Sequence, residues 1–372
     1  MLSMKKKRVC MFFNDLAIYR KTIYKMLDKE FDCEWYIEDV DTKVKEFNAT
    51  ELSIVNKLTV KKLGPFYIVK GLLKLLRKNF DVYFVLGATR NISLFLLCVC
   101  KRLFHRRKRI YFWCHGMYGK ESKIELLLWK LPLMRLADGI FVYGDYSRNL
   151  LLKNGINPKK VYVIHNSLAY EEQLIIRNSI STSCIYQEHF GNNAPVLVMI
   201  GRLNLRKHLN MLIEAISILR KRKSLYNVVL IGEGEDKEKL VALSKKLGIE
   251  DQVWFYGACY DERQNAELIY NSDLCVVPGD IGLTAIHSLM FGTPVITHNH
   301  FPNQGPEFEA IKPGVTGEFF EHGSTENLAK LIDHWFATHK LEREKVRLEC
   351  YKEVDTNWNP NYQMDVIINN LK

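Results

Sequence analysis

From residue 195 onward, short and continuous apolar runs alternate with longer stretches whose apolar residues recur at helical spacing. "APVLVMIGRL" reads as a buried strand, "KHLNMLIEAISILRKR" carries Leu209, Leu212, Ile213, Ile216 and Leu219 on one helical face, and "NVVLIGEG" is a strand ending in a glycine turn. Helix "DKEKLVALSKKLGI", strand "QVWFYG", helix "ERQNAELIYNS" and strand "LCVVP" follow. The stretch "VVPGDIGLTAIHSLMFGTPVI" then supplies a strand end, a glycine turn, a short helix and a further strand. A strand that is apolar along its whole length has no solvent face. The pattern therefore predicts an α/β, doubly wound domain whose parallel sheet is covered on both sides.

The first half shows the same alternation. Strand "RVCMFF", helix "YRKTIYKMLDK", strand "CEWYIE", helix "YIVKGLLKLLRK", strand "DVYFVLG", helix "SLFLLCVCKRLF" and strands "IYFWCHG", "GIFVYG" and "KVYVIHNS" predict a second doubly wound domain. The 372 residues also exceed the length at which one core stops growing, about 250–300 residues. The expected domains are 1–167 and 193–357, because "LAYEEQLIIRNSISTSCIYQEHFGNNAP" between them has no clear period. Residues 358–372 read as a helix opened by Pro360 that packs back on the first domain.

Nine cysteines without a C-x-x-C pair fit a reducing cytosol and argue against a disulfide framework or a structural zinc site. The start, "MLSMKKKRVCMFFND", lacks the apolar run of a signal peptide, and "ISLFLLCVC" falls well short of the roughly 18 residues of a membrane span. The chain is expected to be cytoplasmic. Its net charge of +11 is divided unequally, with 32 Lys and Arg against 15 Asp and Glu in residues 1–170, and 21 against 27 in the remainder. A basic half suits nucleic acid, anionic lipid or an anionic substrate; no nucleic-acid recognition module accompanies it, so nucleic acid is not an expected partner. In "KKLGPFYIVKGLLKLLRK", Lys70, Lys74, Arg77 and Lys78 lie beside Leu72, Leu73, Leu75 and Leu76, the pattern of an interfacial helix on an anionic membrane or of a solvated face over a core. "MKKKR" and "KRLFHRRKR" add two more basic clusters.

Ligands of open parallel sheets bind beyond the carboxyl ends of the strands. There Gly201 ends a strand and Arg202 and Lys207 flank the turn into a helix, a placement suited to a diphosphate. Gly282 lets a ligand approach the backbone, and the amides of Leu283 and Thr284, with the Thr284 hydroxyl, open the helix "TAIHSLMF" as an anion site or, more plainly, as a helix cap. In the first half His115 ends "IYFWC", and Asp15, Tyr19 and Arg20 follow the first strand, where they either line an acceptor site or begin a helix.

"GRLNLRKHLNMLIEA", "VVLIGEGEDKEKL", "VWFYGACYDERQNAELIYNSDLCVVPGDIGLTAIHSLMFGTPVIT" and "EFEAIKPGVTGEFF" resemble, in order and spacing over most of residues 195–335, the successive blocks of the family 4 glycosyltransferases of bacterial surface-polysaccharide assembly. The first half is similar only in pattern, through "YRKTIY", "WCHG" and "VIHNS". The resemblance implies a GT-B fold of two Rossmann-like domains facing a cleft. It also implies a UDP- or GDP-sugar donor, a lipid-linked or oligosaccharide acceptor, retention of anomeric configuration, no bound metal and no cofactor. Arg202 and Lys207 would hold the donor diphosphate, Gly282, Leu283 and Thr284 would give amides to the phosphate and sugar, and His115 would contact the transferred hexose. The family's carboxylate pair is missing. Gly279 stands where one glutamate would touch the sugar, and His287 stands where the other would hold the ribose. Asp280 is the nearest substitute, followed by Glu309, which aligns with a family acid, and Glu307, which is extra. The expected protein is a glycosyltransferase peripheral to the inner face of the cell membrane. A non-catalytic GT-B scaffold and a sugar-nucleotide epimerase or hydrolase are the alternatives.

Overall fold

A computed structural model describes residues 6–40, 47–339 and 342–371; residues 4 and 5 of the segment "MKKKR" lie outside them, as does residue 372. The chain forms two compact units, Met1–Ala169 with Pro360–Lys372, and Tyr170–Asn359.

The first unit is built on β1 (Arg8–Phe13), β2 (Asp32–Asp39), β3 (Val55–Leu63), β4 (Phe66–Val69), β5 (Val82–Leu86), β6 (Arg109–Cys114), β7 (Gly139–Val142) and β8 (Val161–Val163), in the order β4-β3-β2-β1-β5-β6-β7-β8. Among the described residues, only the β3–β4 pair of this sheet is antiparallel. Alternate residues of one strand enter different cores: Cys10, Phe12, Tyr83 and Val85 face one side, and Val9, Met11, Phe13 and Phe84 the other. The second face is aromatic, with Trp113 stacked on Phe84 at 5.5 Å between centroids and edge-on to Phe13 at 5.7 Å. Met364, Ile367 and Leu371, from the helix Pro360–Asn370 and the residue beyond it, complete that core. Gln363 fixes the helix by accepting from Ser167 Oγ at 2.6 Å and donating to the carbonyl of His165 at 2.8 Å.

The helix predicted over residues 67–78 is instead β4 followed by a 3-10 helix, Leu72–Arg77. Leu72, Leu75 and Leu76 are buried in the protein core, so this segment does not present an interfacial apolar face, and its cations are a solvated rim. Lys78 is bound to Glu34 and, at 2.6 Å, to the Tyr36 hydroxyl. Periodicity also left unassigned the hairpin strand β3 and the helical stretch from Lys123 to Leu136.

The second unit is a parallel sheet of β9 (Val196–Ile200), β10 (Asn227–Ile231), β11 (Val253–Gly257), β12 (Leu274–Val276), β13 (Val295–His298) and β14 (Gly317–Phe320), ordered β11-β10-β9-β12-β13-β14. Strands β10, β12 and β13 are buried at every residue, as continuous apolar runs require. The winding reverses between β9 and β12, which opens a crevice at their carboxyl ends. The stretch without a period holds two helices of this unit, Tyr170–Ser179 and Ile185–Phe190. Arg177 of the first forms a two-pronged pair with Asp355 at 3.0 and 2.9 Å.

At the end of β13, His298 is buried with its Nδ1 accepting the His300 amide at 3.1 Å and its ring 4.6 Å from that of His322. Burial, reinforced by the neighbouring His322, His300 and His208, pushes its pKa down to about 4. The unfolded chain therefore takes up a proton below about pH 6.5 that the folded chain refuses until about pH 4, and stability is lost as pH falls through that window, by on the order of 1–3 kcal/mol. Replacing His298→Asn should shrink the difference in urea-unfolding free energy between pH 7 and pH 4.5; an unchanged difference would show that His298 does not carry it.

Candidate functional site

The crevice between β9 and β12 is closed at its base by Thr284. Its hydroxyl donates to the carbonyl of Ile200, the last residue of β9, at 2.9 Å, which joins the first strand of the unit to the helix Thr284–Met290. Gly282 holds φ +52° so that the chain can turn into this helix, and the space where a Cβ would stand is open. Among the described residues, the backbone amides of Gly282, Leu283 and Thr284 donate to no other main-chain group, as expected of a first helical turn. Arg202, exposed, follows Gly201 on the opposite side of the switch point. The structure thus brings Gly201 and Thr284 together, with a Cβ on Gly201 falling 3.6 Å from Thr284 Oγ1.

Lys207 is half-buried and its Nζ donates to the carbonyls of Asp280 at 2.7 Å and Ile281 at 2.9 Å. An ammonium has three donors, so one remains for a ligand. Burial lowers its pKa, opposed by the nearby carboxylates of Asp280 and Glu307. The backbone of the same loop is zipped to the glycine turn. Gly279 N donates to the Lys207 carbonyl and Asp280 N to the Arg206 carbonyl, both at 2.9 Å. A Cβ on Gly279 would fall 2.0 Å from the Arg206 carbonyl oxygen, so the position of the missing acid has no room for any side chain.

Asp280, the nearest substitute, is engaged at both oxygens. Oδ1 accepts the Gly305 amide at 2.8 Å, and Oδ2 is paired with the Arg206 guanidinium. Its carboxylate ties three loops together rather than standing open to a ligand. Glu307 is buried on the 3-10 helix Pro306–Ala310 and reaches the same place, since a Cβ on Gly305 would lie 2.7 Å from Glu307 Oε2 and 3.3 Å from Asp280 Oδ1. Glu309 is half-buried, two residues further along the same 3-10 helix. Gln304, absent from the sequence reading, is buried at the centre: its Oε1 accepts the Ile281 amide at 2.9 Å, and its Nε2 donates to Thr297 Oγ1 at 2.8 Å and to the His298 carbonyl at 3.2 Å.

His287 does not stand alone. Its Nε2 lies 2.9 Å from Glu262 Oε1, which also accepts from Gln173 Nε2 at 2.7 Å. Burial raises the Glu262 pKa, but His287, Gln173 and Asn265 outweigh it and hold the carboxyl below its ordinary value. A carboxylate is therefore present beside the histidine, on the helix Glu262–Asn271 instead of on the helix Thr284–Met290. Neither Glu262 nor Gln173 carries a local signal, since a first-turn acid reads as a cap.

In the first unit the ends of β1, β6 and β7 gather the other candidates. His115 is exposed, with its ring 4.9 Å from Tyr143 and 5.7 Å from Tyr118. Asp15 is buried and accepts from Asn14 Nδ2 at 2.8 Å, and Tyr19 is half-buried. Arg20 is buried, bonded to the Tyr143 hydroxyl and, at 3.4 Å, to that of Tyr24, with its guanidinium 5.5 Å from the centre of the Trp113 ring. It serves the aromatic packing of the sheet rather than an open acceptor surface. Among the described residues, no group of three His, Cys, Asp or Glu side chains is placed to hold a metal ion.

The filled space at position 279 yields a direct expectation. Gly279→Ala should lower stability by about 1–3 kcal/mol, the usual range for overpacking, and Gly279→Glu should not create a working acid there. Urea unfolding of both variants checks this, and wild-type stability with a glutamate at 279 would contradict it.

Residues 185–348 match the family described as glycosyl transferases group 1. The mannosylfructose-phosphate synthase of Agrobacterium fabrum is 25% identical over 235 residues, 60% of this chain and 50% of the relative. A glycogen synthase of Francisella philomiragia is 32% identical over 181 residues, 45% of this chain and 36% of the relative. The chain thus spans half or less of the length of these curated relatives. Its fold is that of the Anabaena protein Alr3699/HepE solved in complex with UDP, at a TM-score of 0.75 and 16% identity over 99% of both chains. Residues 185–348 are thus similar to the group 1 glycosyl transferases, and the two doubly wound α/β domains have the GT-B fold.

Proposed function

We propose that the protein is a glycosyltransferase that takes a sugar from a UDP- or GDP-sugar and adds it, with retention of configuration, to a lipid-linked saccharide of surface-polysaccharide assembly. The observation that carries this reading is the open helix start at the β9–β12 switch point. There the amides of Gly282, Leu283 and Thr284 adjoin Gly201, which Arg202 follows in the chain, and the loop whose Lys207 keeps one donor. Amides in a first helical turn and cations stabilise an anion whether or not a carboxylate is near, so diphosphate binding does not depend on the acid missing at 279. The same groups stabilise the charge that grows on the departing diphosphate, the role a metal ion plays elsewhere, and this reading needs no cofactor. Support from relatives is of the same kind, for the Anabaena protein has also been solved with UDP-glucose.

On this reading Asp280 acts by holding the loops of Arg206 and Gly305, and Glu307, beside Lys207 and Asp280, is the acid closest to the sugar. His287 and Glu262 together take the place of the ribose carboxylate. In the first unit, His115, Asp15 and Tyr19 are the groups that this reading assigns to the sugar substrates. The basic first unit meets an anionic membrane from the cytoplasmic side; among the described residues no helix is long and apolar enough to cross one.

A thermal-shift panel of nucleotide sugars identifies the donor, because a ligand at about 100 times its Kd stabilises the folded state by ~2.7 kcal/mol. With that donor's nucleoside diphosphate, Arg202→Ala should weaken binding by ~1.5–3 kcal/mol, roughly 10- to 150-fold, without changing the unfolding midpoint of the free protein. Calorimetric affinity equal to wild type would remove Arg202 from the site, and tight nucleotide binding without transfer to any lipid-linked acceptor would favour a binding role over catalysis.

A further inference from the structure

The helical stretch from Lys123 to Leu136 contains an i→i+5 turn, Leu126–Lys130, ahead of Pro132. A proline inside a helix has no N–H and crowds the preceding turn, which the wider turn relieves. An uninterrupted α-helix would set Leu127 on one stripe with Leu131 and Met134, four and seven residues on, facing the core. Here Leu131, Leu133 and Met134 are buried, whereas Leu127 is 68% exposed, with Leu128 at 61%, Ile124 at 70% and Trp129 at 42%. The base is rigid. Lys130 is buried against Glu121 at 2.6 Å, and Glu121 also accepts the amides of Tyr118 at 2.8 Å and Gly119 at 2.9 Å. Trp129 packs on Phe66 at 4.5 Å between centroids, which joins the helix to the β3–β4 hairpin and its exposed Leu63.

This apolar tip is bordered by exposed Lys61, Lys62, Lys120 and Lys123. Residues 57–135 hold 18 Lys and Arg against 3 Asp and Glu, and one of those three, Glu121, is already paired. A large exposed apolar cluster marks a contact surface, and a cationic rim selects its partner. A second copy of the same surface would bring two positive rims together. An anionic bilayer offers hydrocarbon for the tip and opposite charge for the rim, with a tryptophan suited to the boundary between them.

We propose that Ile124, Leu127, Leu128 and Trp129 insert into an anionic membrane while Lys61, Lys62, Lys120 and Lys123 hold its headgroups. The inference rests on the membrane partner of the preceding reading and moves the contact away from residues 67–78. It is tested with vesicles of phosphatidylcholine containing or lacking phosphatidylglycerol, using the full chain. Wild type should cosediment with the anionic vesicles and dissociate as salt rises. The variant Leu127→Ser, Leu128→Ser, Trp129→Ser should partition at least about 100-fold more weakly, because three side chains lose their transfer from water. Its nucleoside diphosphate affinity should stay that of wild type, and its unfolding midpoint should fall by no more than the loss of the Trp129–Phe66 contact accounts for, which Trp129→Ser alone measures. A doxyl-labelled lipid should quench a component of tryptophan emission that Trp129→Phe removes. If wild type and the triple variant bind anionic vesicles equally and Trp129 is not quenched, the membrane partner stands and this insertion surface is overturned. If wild type binds no vesicle, both fail, and concentration-dependent self-association abolished by the triple variant would assign the surface to a second copy.

Discussion

The amides of Gly279 and Asp280 donate to the carbonyls of Lys207 and Arg206, and the loops at the carboxyl end of the second sheet are arranged around those two hydrogen bonds. They fix the loop after β9 to the loop after β12. That contact lets Lys207 reach the Asp280 and Ile281 carbonyls and brings Arg206 to the Asp280 carboxylate. Asp280 then takes the Gly305 amide, which draws in the segment carrying Glu307, while Gln304 fills the space beneath. Main-chain contact this close is possible only because residue 279 has no side chain. The loss of the acid and the locking of the loops are one structural fact.

This accounts for what the sequence could and could not disclose. The continuous apolar runs of β9, β10, β12 and β13 were legible because a strand buried on both faces has no choice of composition. The strand β3 was hidden because it lies toward the edge of its sheet and most of its side chains meet water, so lysines interrupt the alternation; the turn at Leu63-Gly64-Pro65-Phe66 was the one available cue. The helices at Tyr170–Ser179 and Ile185–Phe190 bury little, with Gln173 and Tyr186 as their buried residues, and so left no stripe.

At the site, Gly201, Arg202, Lys207 and the helix start at Thr284 were legible as glycine, cation and cap, all local in sequence. What escaped was long-range. Glu262 meets His287 from 25 residues away and Gln173 from 89, and nothing in either neighbourhood announces the other. Arg20 is a related case. Its placement after β1 fits either a site lining or a helix start, and Trp113 and Tyr143, which arrive on β6 and just beyond β7, bury it. A charge at a strand end is exposed or enclosed according to which distant rings pack beside it.

The helix Pro360–Asn370 belongs to the first unit although the whole second unit precedes it in the chain. The second unit is therefore an insertion between two parts of the first. During synthesis the eight strands of the first sheet leave the ribosome early, yet the face that receives Met364, Ile367 and Leu371 stays uncovered until Tyr170–Asn359 has been made. Domains generally fold as units in the order they emerge. Here the part made first is finished last, and the inserted unit, complete in itself, has time to fold before its host is sealed.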